Sequence, residues 1–189
     1  DGKPEAQAQN DKGIKVLFRI DHVLDAEEKA SRRAISRTMT RAKTASSREV
    51  RKVYNIKASD FNAGVKVENY GRLGIFSVFG RRTPVMKFGA RQRRTWPGAR
   101  VKIKKQGGIR TIKHSFIAKM ASDHIGVFRR NRRRMLKKPN REAIEEIYTI
   151  SPVQMFRAHG LSMFEKTVKD HFGADYESAF EFFISRKLR

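Results

Sequence analysis

The chain has 189 residues, with 43 Lys or Arg against 19 Asp or Glu and a formal net charge of +24. It has no cysteine, which excludes disulfides and thiolate metal sites, and no apolar run approaches the roughly 18–20 residues of a membrane span. Thirteen Phe and a hydrophobic content of 39% supply a core, so the composition is that of a folded domain.

Residues 1–13 are polar, with Gln, Asn, Gly and Pro, and read as a flexible arm; residues 14–189 read as a single α+β domain. From Ile14 to Ile20, apolar Ile14, Val16, Phe18 and Ile20 alternate with Lys15, Leu17 and Arg19, which predicts a strand. Asp21 or Asp25 then caps a helix, with Glu27 and Glu28 in the first turn, where the helix dipole favours acids. No Gly or Pro interrupts the run from Ala26 to about Val53. Ala30, Ala34, Thr38, Ala42 and Ala45 recur at spacings of three or four, with Ile35 and Met39 beside them. This narrow stripe lets another element approach closely. The other face is basic (Arg32, Arg33, Arg37, Arg41, Arg48, Arg51 and Lys52), and a solvated face is the ordinary role of such charge. Ser59-Asp60 caps a short turn around Phe61.

Short strand-like runs follow, bounded by Gly or Pro: 65–67, 73–79, 85–88 and 99–105, then 109–117 and 125–129. In Arg100-Val101-Lys102-Ile103-Lys104 charge alternates with apolar residues, which predicts a half-exposed strand with a basic outer face. Residues 129–138 read as a basic loop closed by Pro139, and 143–150 return to strand character. Ser151-Pro152 starts a helix and Leu161, after Gly160, starts another. Leu161, Phe164, Val168, Phe172, Tyr176, Phe180 and Phe183 mark an amphipathic C-terminal helix with Gly173 as its candidate break. The stripe reads as core or subunit interface. The expected class is α+β: a long N-terminal helix, a central antiparallel β-sheet with basic loops, and a C-terminal amphipathic helix.

Between Glu68 and Asp123 there is no acidic residue, yet there are fourteen Lys or Arg. Such a composition repels itself and is not needed to fold, so it points to an anionic partner: nucleic acid or an acidic protein. The candidate contact residues are Arg81, Arg82, Arg91, Arg93, Arg94, Arg129, Arg130, Arg132, Arg133, Arg134, Lys137 and Lys138. Arg suits them, because its fork pairs with phosphate oxygens bidentately. Phe76, Phe79, Phe88, Trp96, Phe116 and Phe128 are interleaved with this charge. Exposed, they would stack bases, but they fall where a sheet puts its inner face.

The catalytic motifs are missing: there is no GxxxxGK[ST], no GxGxxG and no HExxH. The five His have no metal-ligand spacing, and Glu142, Glu145 and Glu146 read as neutralising neighbouring Arg. No catalytic residue, metal or cofactor is expected, and the chain reads as a non-enzyme.

Several phrases together have a familiar order: Ala34-Ile-Ser-Arg-Thr38 through Ala42-Lys-Thr-Ala45 and Arg48-Glu-Val-Arg51 to Tyr54-Asn-Ile-Lys57; Pro84-Val-Met-Lys-Phe88; Gly98-Ala-Arg-Val-Lys-Ile-Lys104; Ser115-Phe-Ile-Ala118; Gly126-Val-Phe-Arg129; and Ile144 through Ile150-Ser-Pro-Val-Gln-Met155. In that order they resemble the minor tail protein Z family of lambda-like tailed bacteriophages and prophages, over roughly residues 30–156. The chain departs from the pattern at Ser36, where the family has Asn, and at Ala99, where it has Val.

The resemblance implies a structural tail-completion protein at the head-proximal end of a tail or at the neck, where a tail joins a DNA-filled head. It implies a virion location after synthesis in the host cytoplasm, and a homo-oligomeric ring, expected as a hexamer, around the DNA path. Its expected partners are the tail tube or terminator, neck and portal-side proteins, and the DNA backbone in the channel; no membrane is involved. Candidate subunit contacts are Ala30, Ala34, Thr38, Phe164, Phe180 and Phe183. The alternative is a stand-alone nucleic-acid-binding protein without sequence specificity.

Overall fold

The computed structural model describes the backbone of residues 5–9, 13–19, 25–135 and 142–187, with side chains from 27–131 and 142–186. Contacts group the chain into two compact units, each discontinuous: Asp1–Val50 with Phe61–Arg81 and Pro152–Arg189, and Arg51–Asp60 with Arg82–Ser151. The class is α+β. Among the described residues the strands form three antiparallel sheets, of four, two and three strands, in place of one central sheet.

The first unit holds the four-stranded sheet, in the order β1 (Glu5–Gln9), β2 (Gly13–Arg19), β4 (Leu73–Phe79), β3 (Val65–Asn69). β2 follows the alternation seen from Ile14. Residues 5–9, expected within a flexible arm, instead pair with β2 from Glu5↔Leu17 to Gln9↔Gly13. An edge strand is held by its backbone ladder and needs no apolar side chains, so a polar sequence hides it.

Helix α1 (Asp25–Val53) runs as expected, uninterrupted by Gly or Pro. Helix α3 (Pro152–Met155) passes through a π-helical turn (Phe156–Gly160) into α4 (Leu161–Lys187), so the two expected C-terminal helices are one continuous helical run. Gly173 does not break it; a single Gly costs only about 1 kcal/mol in a helix interior, and packing on either side outweighs that. Both long helices cover one face of the sheet. A Cβ on Gly74 of β4 would lie 2.6 Å from Met39 Cε and 2.7 Å from Ile35 Cγ2, both on α1. Two residues on, Phe76 stacks 4.4 Å from Phe164 and 5.4 Å from Phe156. Burying each such ring contributes about 2–3 kcal/mol.

One polar contact joins the helices. Thr38 Oγ1 donates to Asp175 at 3.0 Å, and Arg41 Nη1 reaches the same carboxylate at 2.9 Å. Asp175 is 5% exposed, and a carboxylate so buried is tolerated only when paired and hydrogen-bonded. Arg33 lies over the Phe182 ring at 4.4 Å. Since Thr38 meets Asp175 and Arg33 meets Phe182, the helices run antiparallel.

In the second unit, β5 (Gly98–Val101) pairs with β6 (Arg110–Lys113), and β8 (Ile125–Met135) lies between β7 (Ser115–Lys119) and β9 (Glu142–Glu146). The expected strand over 109–117 is split at His114, whose φ of 58° lies in the left-handed region. Ser115 Oγ accepts from the Ala99 N–H at 3.0 Å and donates to the Ile112 carbonyl at 2.6 Å, which locks β7 to the ribbon. Val85–Phe88 is a 3-10 turn, not a strand. Residues three apart eclipse in that geometry, so Val85 and Phe88 share one side and are both buried. The basic run expected as a loop continues β8 to Met135, paired to β9 with a register shift between Asn131 and Met135. The partner strand β9 is acidic and sets Glu145 opposite Arg129, a pairing that favours the strand. The short helix α2 (Ala58–Asn62) forms around buried Phe61.

Replacing Asp175 with Ala leaves buried Thr38 Oγ1 without its acceptor. The free energy of unfolding is expected to fall by about 2 kcal/mol, read as a lower urea midpoint at unchanged slope.

Candidate functional site

The basic strand predicted at 100–104 forms in part: β5 ends at Val101 and Lys104 keeps an isolated bridge to Tyr54, while the burial alternates as predicted. Ala99 and Val101 are buried at 0% and 2% exposure, while Arg100, Lys102 and Lys104 face solvent. What the alternation does not reveal is the company Arg100 keeps. On one side it pairs with Arg91 through two backbone hydrogen bonds, Arg91 N–H to Arg100 O at 2.8 Å and Arg100 N–H to Arg91 O at 2.7 Å. On the other side it faces Thr111, and Gly98 faces Lys113. Paired residues of an antiparallel ladder project to the same side, so Arg91, Arg100, Thr111 and Lys113 share one face. Like charges directly opposite are destabilising, yet Arg91 and Arg100 are so placed.

Part of that cost is offset by Trp96. Residues 93–96 form a turn in which the Trp96 N–H donates to the Arg93 carbonyl at 3.0 Å. The turn brings the indole under two guanidinium groups, Arg100 Cζ at 4.3 Å and Arg93 Cζ at 5.3 Å from the ring. An indole face attracts a cation by about 0.5–1 kcal/mol at exposed sites, and the stacking fixes both forks in direction.

Among the described residues, no carboxylate lies within ion-pair distance of Arg91, Arg93, Arg100, Lys102 or Lys113, nor of Arg81, Arg82, Arg94, Arg129 or Arg130. The same unit does pair other cations: Lys87 with Asp60 at 3.2 Å and Lys119 with Asp123 at 2.7 Å. The ribbon face therefore carries positive charge with no paired carboxylate among the described residues.

The other expected contact residues are spread out. Arg81, Arg82 and Arg94 are exposed in loops. Arg129 and Arg130 are exposed on β8, with Arg130 5.8 Å over the Phe116 ring. Arg132, Arg133 and Arg134 lie on the β8 backbone, and their side chains, with Lys137 and Lys138, are outside the described residues. Glu145, expected to neutralise a neighbouring Arg, stands directly opposite Arg129 in the β8–β9 ladder, where opposite charges attract. Glu145 accepts from Asn131 Nδ2 at 2.6 Å; Glu146 accepts from the Tyr148 hydroxyl at 2.7 Å and meets His124 Nε2 at 2.9 Å. Glu142 and Glu145 line an open cleft of about 1060 Å³ together with His114, Arg129 and Arg130.

The candidate subunit contacts need correction. Ala30, Ala34, Thr38 and Phe164 are 0%, 0%, 2% and 1% exposed, because the small-residue stripe and the first part of the aromatic stripe pack inside the first unit. Phe180 and Phe183 remain half-buried. Of the rings interleaved with charge, Phe76, Phe88 and Phe128 are core, whereas Phe79 is exposed.

Arg100, Lys102 and Lys113 were not among the contact residues expected from sequence. The alternation at 100–104 is the signal for Arg100 and Lys102, whereas Lys113 and the row with Arg91 need the strand register. Displaced pKa values occur away from this face: burial pushes the Tyr54 phenol up, burial and the charge of Glu27 push Tyr176 up, and the hydrogen bond and charge of Glu68 raise Lys66. Among the described residues no group of three or more His, Asp or Glu side chains is placed to hold a metal ion, and no helix is long and apolar enough to cross a membrane. The chain matches no family model, no curated protein and no solved structure.

Gly98 lets the ribbon close: a Cβ there would strike the Ile112 carbonyl oxygen of β6. Gly98→Ala is expected to cost about 2 kcal/mol. In native-state hydrogen exchange the amides of β5 and β6 lose protection while those of α1 keep theirs.

Proposed function

We propose that this protein is a structural component of a phage virion, a tail-completion protein that assembles as a homo-oligomeric ring at the head-proximal end of the tail. The observation that carries this reading is a net charge of +24, part of it gathered on an exposed ribbon face without a paired carboxylate among the described residues, in an α+β chain whose ordered phrases resemble the minor tail protein Z family. A ring of such subunits surrounds a channel with positive potential. The potential attracts the DNA backbone without reading sequence, which suits a channel that must accept any sequence. The tail tube or terminator and the neck proteins are its neighbours in this reading. The half-buried Phe180 and Phe183, with exposed Phe182 and Ile184 beside them, are the part of the aromatic stripe left for contact with other subunits. The same face also favours a second reading, a free-standing nucleic-acid binder with no sequence preference.

Deleting the gene from its parent phage separates the two. Negative-stain microscopy of lysates is expected to show DNA-filled heads beside unattached tails. Normal infectious virions would exclude the completion role and leave the free-standing binder.

A further inference from the structure

We propose that the ribbon face formed by Arg91, Arg93, Trp96, Arg100, Lys102 and Lys113 binds the sugar-phosphate backbone of a polynucleotide, and that Trp96 serves there as a positioning residue for two guanidinium forks, not as a platform for bases. This stands on the geometry of the second unit and holds whether or not the chain belongs to a tail.

Three features single out the partner. The first is charge. Five cations gather on one small face with no carboxylate within ion-pair distance among the described residues, although the unit pairs Lys87 and Lys119 elsewhere. The second is order. Arg91 and Arg100 stand opposite each other, joined by two backbone hydrogen bonds, so both side chains leave a fixed ladder on the same side. The third is the state of the indole. With Arg100 Cζ 4.3 Å from its ring centre and Arg93 Cζ 5.3 Å away, a base stacking on a face that an Arg covers would have to displace a guanidinium. A base-stacking surface keeps its ring free; this one uses the ring to aim forks at phosphate oxygens.

An acidic protein fits less well. The centre of a protein interface is depleted of charge and anchored by apolar or aromatic side chains in pockets. Here Ala99 and Val101 turn inward and are buried, and the one ring of the face is engaged by Arg. The face thus lacks an apolar anchor but has fixed forks.

Trp96 is the only tryptophan of the chain, so its emission reports on this face in the full-length protein. The experiment titrates that protein with a short mixed-sequence DNA duplex and with its single strand, at several salt concentrations, following both anisotropy of labelled DNA and indole emission. Both DNAs are expected to bind with steep salt dependence, and to change the emission little and to a similar extent. Arg100→Ala lowers the salt slope by about one. Arg100→Lys keeps the charge but loses the stacked fork, and weakens binding about fivefold. Trp96→Ala weakens it by a similar factor and Trp96→Phe restores most of it, a rescue that loss of net charge would not produce. Thermal melts check that each variant is folded, and Arg100→Lys and Trp96→Phe carry the test if Trp96→Ala is not.

Four results overturn the proposal. Strong quenching by single strands alone makes Trp96 a base-stacking platform. Competition by polyglutamate as effective as by DNA makes the partner an acidic protein. Wild-type affinity in a variant with Arg91, Arg100, Lys102 and Lys113 all replaced by Ala places binding on another face. Absence of DNA binding at low salt removes the ligand.

Discussion

A chain with 43 basic and 19 acidic side chains repels itself in any compact form, and that repulsion is the constraint around which this structure is arranged. A cation can be kept in water only if it sits on the outer side of an element, so strand alternation and helix periodicity must deliver every Lys and Arg outward. On α1 the buried positions are small or apolar, with Ala30, Ala34, Ile35, Met39 and Ala42 all at 2% exposure or less. On β5, Ala99 and Val101 point inward and Arg100 points out. The basic β8 runs beside the acidic β9, with Arg129 opposite Glu145.

The few acids are placed where a joint needs them. Asp175 joins α4 to α1 by accepting from Thr38 and Arg41. Asp60 holds Lys87, and Asp123 steadies the β7–β8 hairpin through Lys119. Glu146 gathers His124 and Tyr148 at the edge of the three-stranded sheet. A buried pair such as that of Asp175 contributes more to register than to net stability, because desolvation cancels much of the attraction. Exposed pairs such as Lys119 with Asp123 are worth little.

The ribbon face is the exception: charge is concentrated there and left without acids. Cation–π stacking on Trp96 relieves some of the repulsion and at the same time orders the guanidinium groups. Ordering matters for recognition, since a preset fork loses less entropy when it meets a phosphate than a free side chain does. The four-stranded sheet with its two helices forms a conventional apolar core, with the Phe76, Phe156 and Phe164 rings in mutual contact.

The sequence by itself determined the α+β class, the extent of α1, the alternation of β2 and of residues 100–104, and the excess of charge in the middle of the chain. Each is a local property: period, capping, the absence of Gly and Pro, and composition are all readable within one or two turns. Tertiary structure alone decided the rest. β1 forms because β2 offers it a ladder, although its own residues are only polar or Ala. Val85–Phe88 tightens into a 3-10 turn because two apolar residues three apart must be buried on one side. The small-residue stripe of α1 lies inside the unit, not between subunits, because α4 returns antiparallel and Asp175 meets Thr38. Arg91, Trp96 and Arg100 belong to one face only because a turn and a strand register bring them together. Contacts between residues distant in sequence are set by packing and pairing, and no local pattern encodes them.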